Sequence, residues 1–117
     1  MKNLSPEEIT TLTDRYFHGS ERYNCAQTVL RIIQEIIDSP ISTIQTAAAW
    51  GGGRSPNGYC GALYALLSQV PEAEHEEVIN TFKSEVGSPY CREIRRNNTV
   101  PCSRCVITAA TIFNTRS

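Results

Sequence analysis

Apolar residues recur at helical rather than alternating spacing along the chain, and breaker residues punctuate them at regular intervals. Ser5-Pro6-Glu7-Glu8 opens a first helix: Ser5 suits the N-cap, Pro6 the first helical position, and Glu8 completes a capping box. Gly19 is the expected end of it. A second helix is predicted from near Ser20 to about Ile37, with Val29, Leu30, Ile33, Ile36 and Ile37 as a wide apolar stripe, and Ser39-Pro40 stops it. A short helix follows over 42–49, and a fourth starts near Tyr59 after three glycines. Pro71 opens an acidic fifth helix that ends at Gly87, Ser88-Pro89 repeats the cap-then-proline signature for a sixth, and Pro101 opens a last one through Ile112. No stretch reads as a strand, and the β-branched residues from Val100 onward are the weakest helix formers. The pattern therefore predicts an all-α fold, a compact bundle of about five to seven helices in a single domain over 1–117.

The segment WGGGRSPNGYCGALYALL, residues 50–67, raises the question of a phosphate cradle. It fails the tests. A P-loop needs Lys-Ser/Thr after its last glycine, and here Gly58 is followed by Tyr59-Cys60. A dinucleotide fingerprint needs a preceding strand, and AAAW reads as helix. A small anion could still rest on the free amides before the fourth helix. The glycines, Gly53 and Gly61 among them, suit a sharp turn and a close backbone approach, which would bring Cys60 and the amides around Gly61 to a cofactor.

Composition narrows the function classes. The 117 residues are 40% apolar and 20% charged, ordinary for a globular domain that can build a real core. With a net charge of −1 and no basic stripe beyond Arg92, Arg95 and Arg96, nucleic acid is a poor partner. The N-terminus lacks the apolar stretch of a signal peptide, and no run approaches the ~18 apolar residues of a membrane helix. The expected setting is the cytoplasm, where thiols are mostly reduced, without membrane association. Five cysteines are more than packing needs there, and an odd number cannot all be used in structural disulfides.

The helix map places all five at or near helix N-termini: Cys25 in the first turn or two of the second helix, Cys60 in the first turn of the fourth, Cys91 three residues past Ser88, Cys102 directly after Pro101, and Cys105 one turn on. A helix start carries about half a positive charge and free N–H groups, which favour thiolate over thiol and lower a cysteine pKa below ~8.5. Thiolate is the form that ligates metals and attacks disulfides. Cys60, Leu63, Tyr64 and Leu67 share one face, Cys25, Val29 and Ile33 another, and Cys102 and Cys105 are three apart. The sulfurs should therefore face the core and could share a pocket. The competing reading is packing, since free cysteine behaves as a small buried hydrophobe. C-x-x-C by itself serves metal ligation and redox dithiols equally.

Other candidates carry less. His18 sits near the end of the first helix, where a cation favours the C-terminal dipole. His75 lies in the acidic run EAEHEE, and Trp50 and Tyr59 flank the glycine loop as core or lid residues. Arg54 could lend positive charge to the pocket or be solvated.

The segments YNCAQTVL, WGGG, CGALYA, FKSEVGSPYCREI and CSRCVITAA, in that order, resemble a redox-active family with the pattern C…CGAxxG…C…C, over about residues 17–112. Similar domains occur joined to haem-bearing segments in split-Soret-type cytochromes. The resemblance assigns Cys25, Cys60 and Cys91 to the first three cysteines and Cys102 to the fourth, leaving Cys105 as an addition. Gly61 and Ala62 match CGA, while Ala65 replaces the last glycine. It implies a helical fold and a redox role, with an iron–sulfur cluster as one form of it. No haem attachment motif is present, since Val106 follows Cys105.

Three functions follow as expectations. In the first, Cys25, Cys60, Cys91 and Cys102 hold an iron–sulfur cluster for electron transfer, with Cys105 as a spare ligand. In the second, the protein exchanges thiols and disulfides, Cys102 attacking and Cys105 resolving, or one of them pairing with a cysteine from another helix. In the third, cysteine-bound zinc staples a structural interaction module. A redox partner protein is expected in the first two, and a homodimer is compatible with all three.

Overall fold

The computed structural model describes residues 3–17, 19, 22–50, 55–97 and 100–116. Among them six α-helices and no strand are present: α1 (Pro6–Tyr16), α2 (Cys25–Ile37), α3 (Gly61–Leu67), α4 (His75–Val86), α5 (Cys91–Asn97) and α6 (Cys102–Arg116). Two isolated bridges, Phe17 with Tyr23 and Tyr59 with Tyr90, are the nearest approach to sheet. The all-α expectation holds.

Local chemistry explains most boundaries. Ser5 Oγ accepts from the Glu8 amide and Glu8 answers to the Ser5 amide, so α1 begins with the full capping box. Its last helical residue is Tyr16, with Phe17 as C-cap, slightly before the predicted Gly19. Asn24 caps α2 through the Gln27 amide, with Gln27 reciprocating, so α2 begins five residues later than the Ser20 start expected from sequence. Asp38 ends it in the left-handed region. The predicted helix over 42–49 is a 3-10 turn at Thr46–Trp50. Gly87, at φ 96°, closes α4.

The core forms where α2 and α6 cross their neighbours. α2 packs on α1, α3 and α6, and α6 on α1, α3 and α4. Val29, Leu30, Ile32, Ile33 and Ile36 of α2 are fully buried, as are Leu63 and Leu66 of α3, Phe82 of α4 and Val106 of α6. At ~1.5–3 kcal/mol for each large apolar side chain, this stripe is the main source of stability, which is why a short helix such as α3 persists. Asn114 on α6 accepts from the Leu4 amide at 3.0 Å and donates to its carbonyl at 2.7 Å, tying the two ends of the chain together.

Candidate functional site

The core contains sulfur. Cys25, Cys60 and Cys105 belong to the same buried cluster as the aliphatic side chains, at 8%, 5% and 1% exposure. Cys25, Cys91 and Cys102 are each the first residue of their helix, Cys60 is the N-cap of α3, and Cys105 stands one turn into α6. The predicted clustering at helix starts is what the structure shows. None of the five is in a disulfide.

Three of the sulfurs meet. Cys60 neighbours both Cys25 and Cys105, and each pair is close enough to share a hydrogen bond. Three helices thus contribute one thiol each to a buried row with Cys60 at its centre. Cys105, set aside by the family pattern as an addition, is the residue on α6 that closes this row. Amides of two helix starts also point at it: Ala26 and Ala62 N–H donate to Cys25, and Leu63 N–H donates to Cys60.

Gly61 lets α2 and α3 come this close. A Cβ placed on it would lie 2.9 Å from Cys25 Sγ and 2.7 Å from the Trp50 carbonyl oxygen. The turn that ends in Trp50 is tied to the start of α2 by Asn24, whose Nδ2 donates to the Ala47 and Ala48 carbonyls at 3.3 and 3.0 Å. The Trp50 ring meets Tyr64 edge-on at 4.7 Å, so it belongs to the packing around α3. Asn24 therefore caps the helix that carries Cys25 and also clamps the turn that confines it. The sequence signal was available, an asparagine directly before Cys25, but its second role needs a partner 23 residues away. Asn24→Ala is expected to destabilise the fold by ~2 kcal/mol, cap and clamp together, whereas Asn24→Asp keeps the cap and loses only the donor side; urea titrations of both separate the contributions.

A second tether holds the Cys60 loop. The Cys60 amide donates to the Pro89 carbonyl at 2.8 Å, and the rings of Tyr59 and Tyr90 stack at 5.7 Å. Ser55 Oγ donates to the Tyr59 carbonyl from the other side. Ser88 orders the start of α5, accepting from the Tyr90 amide at 3.1 Å and donating to Glu93 at 2.6 Å. This brings the Cys91 helix start, buried at 9% exposure, up to the Cys60 loop. Cys102 is half-exposed.

The electrostatics depart from the expectation of lowered thiol pKa values. Cys25 is pushed far up, first by its hydrogen bond to Cys60 and then by burial, against the opposing pull of the Ala26 and Ala62 amides. Cys60 is pushed up to about 12, chiefly by its hydrogen bond to Cys105, with burial adding and the bond from Cys25 opposing. Helix-start amides favour thiolate, but one neighbouring thiol and an apolar shell outweigh them. In their reduced form Cys25 and Cys60 hold their protons at neutral pH.

The other predicted residues are placed as follows. Gly53, His18 and Arg54 lie outside the described residues. His75 Nε2 donates to the Val70 carbonyl at 2.9 Å, a local structural bond. For metal or cluster binding, the donor chemistry suits soft ions, since every sulfur is a potential thiolate. Among the described residues no group of three or more Cys, His, Asp or Glu side chains is arranged to hold a metal ion.

Residues 23–115 match a family described as "Putative redox-active protein (C_GCAxxG_C_C)". The chain belongs to this family. The match runs from Tyr23, two residues before Cys25, almost to the end of α6, so it includes the whole thiol row. The chain reads Cys60-Gly61-Ala62 where the family description writes Gly-Cys-Ala, and carries the buried Ala65 in place of the last glycine. No curated protein and no solved structure matches it. Among the described residues no helix is long and apolar enough to cross a membrane.

Proposed function

We propose that the protein performs reversible thiol–disulfide chemistry in its buried thiol row, with Cys60 as the sulfur common to the oxidised forms. The observation that carries this reading is the position of Cys60, hydrogen-bonded to Cys25 on one side and Cys105 on the other. Two thiols of the row give up two electrons and two protons and form one S–S bond. An external disulfide takes them and leaves as two thiols. A redox partner protein or a small disulfide can fill that role. A cytoplasmic setting, where thiols are kept mostly reduced, would present the row ready to be oxidised.

The test is peptide mapping. Fully reduced protein is oxidised, its remaining thiols are alkylated, and the digest is analysed by mass spectrometry. A Cys25–Cys60 or Cys60–Cys105 linkage that dithiothreitol reverses is the expected result. Oxidation that leaves Cys60 as a free thiol while the fold stays intact would sink the reading.

Electron transfer through an iron–sulfur cluster is the second reading, and the amides of Ala26, Ala62 and Leu63 aimed at the sulfurs favour it. Such donors stabilise negative sulfur whether it is thiolate or cluster-bound. Cys25, Cys60 and Cys105, with Cys91 or Cys102, would be the ligands, and the row would have to close around the cluster. Zinc would make the same demand. Anaerobic reconstitution with iron and sulfide distinguishes the readings: visible absorption with stoichiometric iron supports the cluster, and colourless protein with an intact disulfide cycle excludes it.

A further inference from the structure

The thiol row is closed to any bulky reagent, since Cys25, Cys60 and Cys105 are all buried. An external disulfide must be attacked along its S–S axis, so some thiol has to reach solvent. Cys102 is the most exposed of the five. Its helical register puts it on the inward side of α6: Cys105 is three residues on and Ala109 seven residues on, and both are buried. Cys102, the first residue of the helix, is half-exposed. Residues three apart on a helix are neighbours, with Cα atoms within the range a disulfide bridges. Cys102 is thus the solvent end of a sulfur series that continues through Cys105 and Cys60 to Cys25.

The stretch of sequence that carries it is lopsided in charge. Residues 91–105 hold three of the five cysteines together with Arg92, Arg95, Arg96 and Arg104, and only one acid, Glu93, in a chain whose net charge is −1. Arg92, Arg96 and Arg104 are exposed, while Glu93 is engaged by Ser88. In sequence, Cys102 thus belongs to a positively charged segment of a slightly acidic protein.

We propose that Cys102 is the exchange thiol of the protein and that its substrates are anionic low-molecular-weight disulfides. This rests on the thiol-row reading above and adds its port and its substrate class. The Cys102 thiolate attacks one sulfur of the disulfide, forming a mixed disulfide and releasing the first thiolate. The Cys105 thiolate attacks Cys102 Sγ, releasing the second and forming Cys102–Cys105. Cys60 attacks Cys105 Sγ as its own proton passes to the departing Cys102 sulfur, returning Cys102 as a thiol and leaving Cys60–Cys105. One disulfide has been reduced to two thiols and one protein disulfide has formed.

The experiment uses the full chain and three oxidants: anionic oxidised glutathione, cationic cystamine, and hydrogen peroxide, which is small enough to reach the row. With oxidised glutathione, Cys102→Ser is expected to form the inner disulfide at least tenfold more slowly than wild type, while peroxide still forms it. Cys105→Ser is expected to accumulate a glutathione adduct on Cys102. The pair Arg92→Gln/Arg96→Gln is expected to slow oxidised glutathione several-fold at low salt and to speed cystamine, the sign that electrostatic steering requires. A Cys102→Ser variant as fast as wild type with oxidised glutathione overturns the port, even if the thiol row cycles normally. Equal effects of the arginine pair on both disulfides overturn the anionic preference. A Cys102 adduct without any inner disulfide, even with peroxide, leaves the port standing and removes the thiol-row reading.

Discussion

Under reducing conditions the protein is expected to lose stability steeply above pH 9, and Cys60→Ala to flatten that loss. The sign follows from the raised pKa values of Cys25 and Cys60. In the unfolded chain both thiols ionise near ~8.5, whereas in the fold they keep their protons. Above that pH the unfolded state binds fewer protons than the native state, so stability falls as pH rises. The contribution is fully present below ~8.5 and is lost upward through the folded values, which for Cys60 means toward about 12. Each retained proton contributes ~1.4 kcal/mol per pH unit, so two thiols give a slope near ~2.7 kcal/mol per unit. Cys60→Ala removes one of them and also removes the largest cause of the shift on Cys25. Its slope is expected to fall to ~1.4 kcal/mol per unit or less, after a cost at neutral pH of ~1–2 kcal/mol for the lost sulfur. Urea titrations of both proteins between pH 8 and 10.5 measure this, and the difference between them cancels the lysines and tyrosines. Parallel curves would mean that the thiols do not share protons.

Gly61→Ala is expected to be the most disruptive single-methyl change near the site. The new Cβ would meet the Trp50 carbonyl oxygen at 2.7 Å and Cys25 Sγ at 2.9 Å. One is backbone, clamped by Asn24 through the turn that ends in Trp50, and the other is a short side chain fixed at a helix start. Neither can swing away, so α2 and α3 have to separate. Overpacking of this kind costs ~1–3 kcal/mol. Its more specific effect is on Cys25, which is pushed away from Cys60, so Cys25–Cys60 linkage should be lost while Cys60–Cys105 linkage survives. Gly58→Ala is the control: nothing lies within 4 Å of its Cβ position, but its φ of 72° is in the left-handed region. It should cost ~1 kcal/mol of backbone strain and leave disulfide mapping unchanged. Denaturant titration with peptide mapping on both variants decides the matter. A Gly61→Ala protein with wild-type linkages would show that the close approach is not what positions Cys25.

The helices were legible because their determinants are local. Ser5 with Glu8, Gly87, Ser88 and Pro101 act within a few residues of themselves, and the apolar stripe of α2 is visible as a period. Pro71, expected to open the fifth helix, is instead followed by a 3-10 turn at Glu72–Glu74, and α4 begins only at His75. The start of α2, expected near Ser20, lies at Cys25 because Asn24 caps the helix and is itself fixed by tertiary contacts with the 46–50 turn. The short helix expected over 42–49 is a 3-10 turn at Thr46–Trp50, a difference too small in local energy to read from composition.

For the sulfur site, the sequence by itself determined that five cysteines sit at helix starts and that a glycine follows Cys60. Position along a helix depends only on neighbours in the chain. Which sulfurs touch was decided by tertiary structure: Cys105 rather than Cys102 completes the row, because the inward face of α6 buries the residue one turn in and leaves the first residue at the open end. The direction of the pKa shifts was decided there too. A helix start favours thiolate wherever it occurs, but whether that preference prevails depends on burial and on which other thiol the fold has brought beside it.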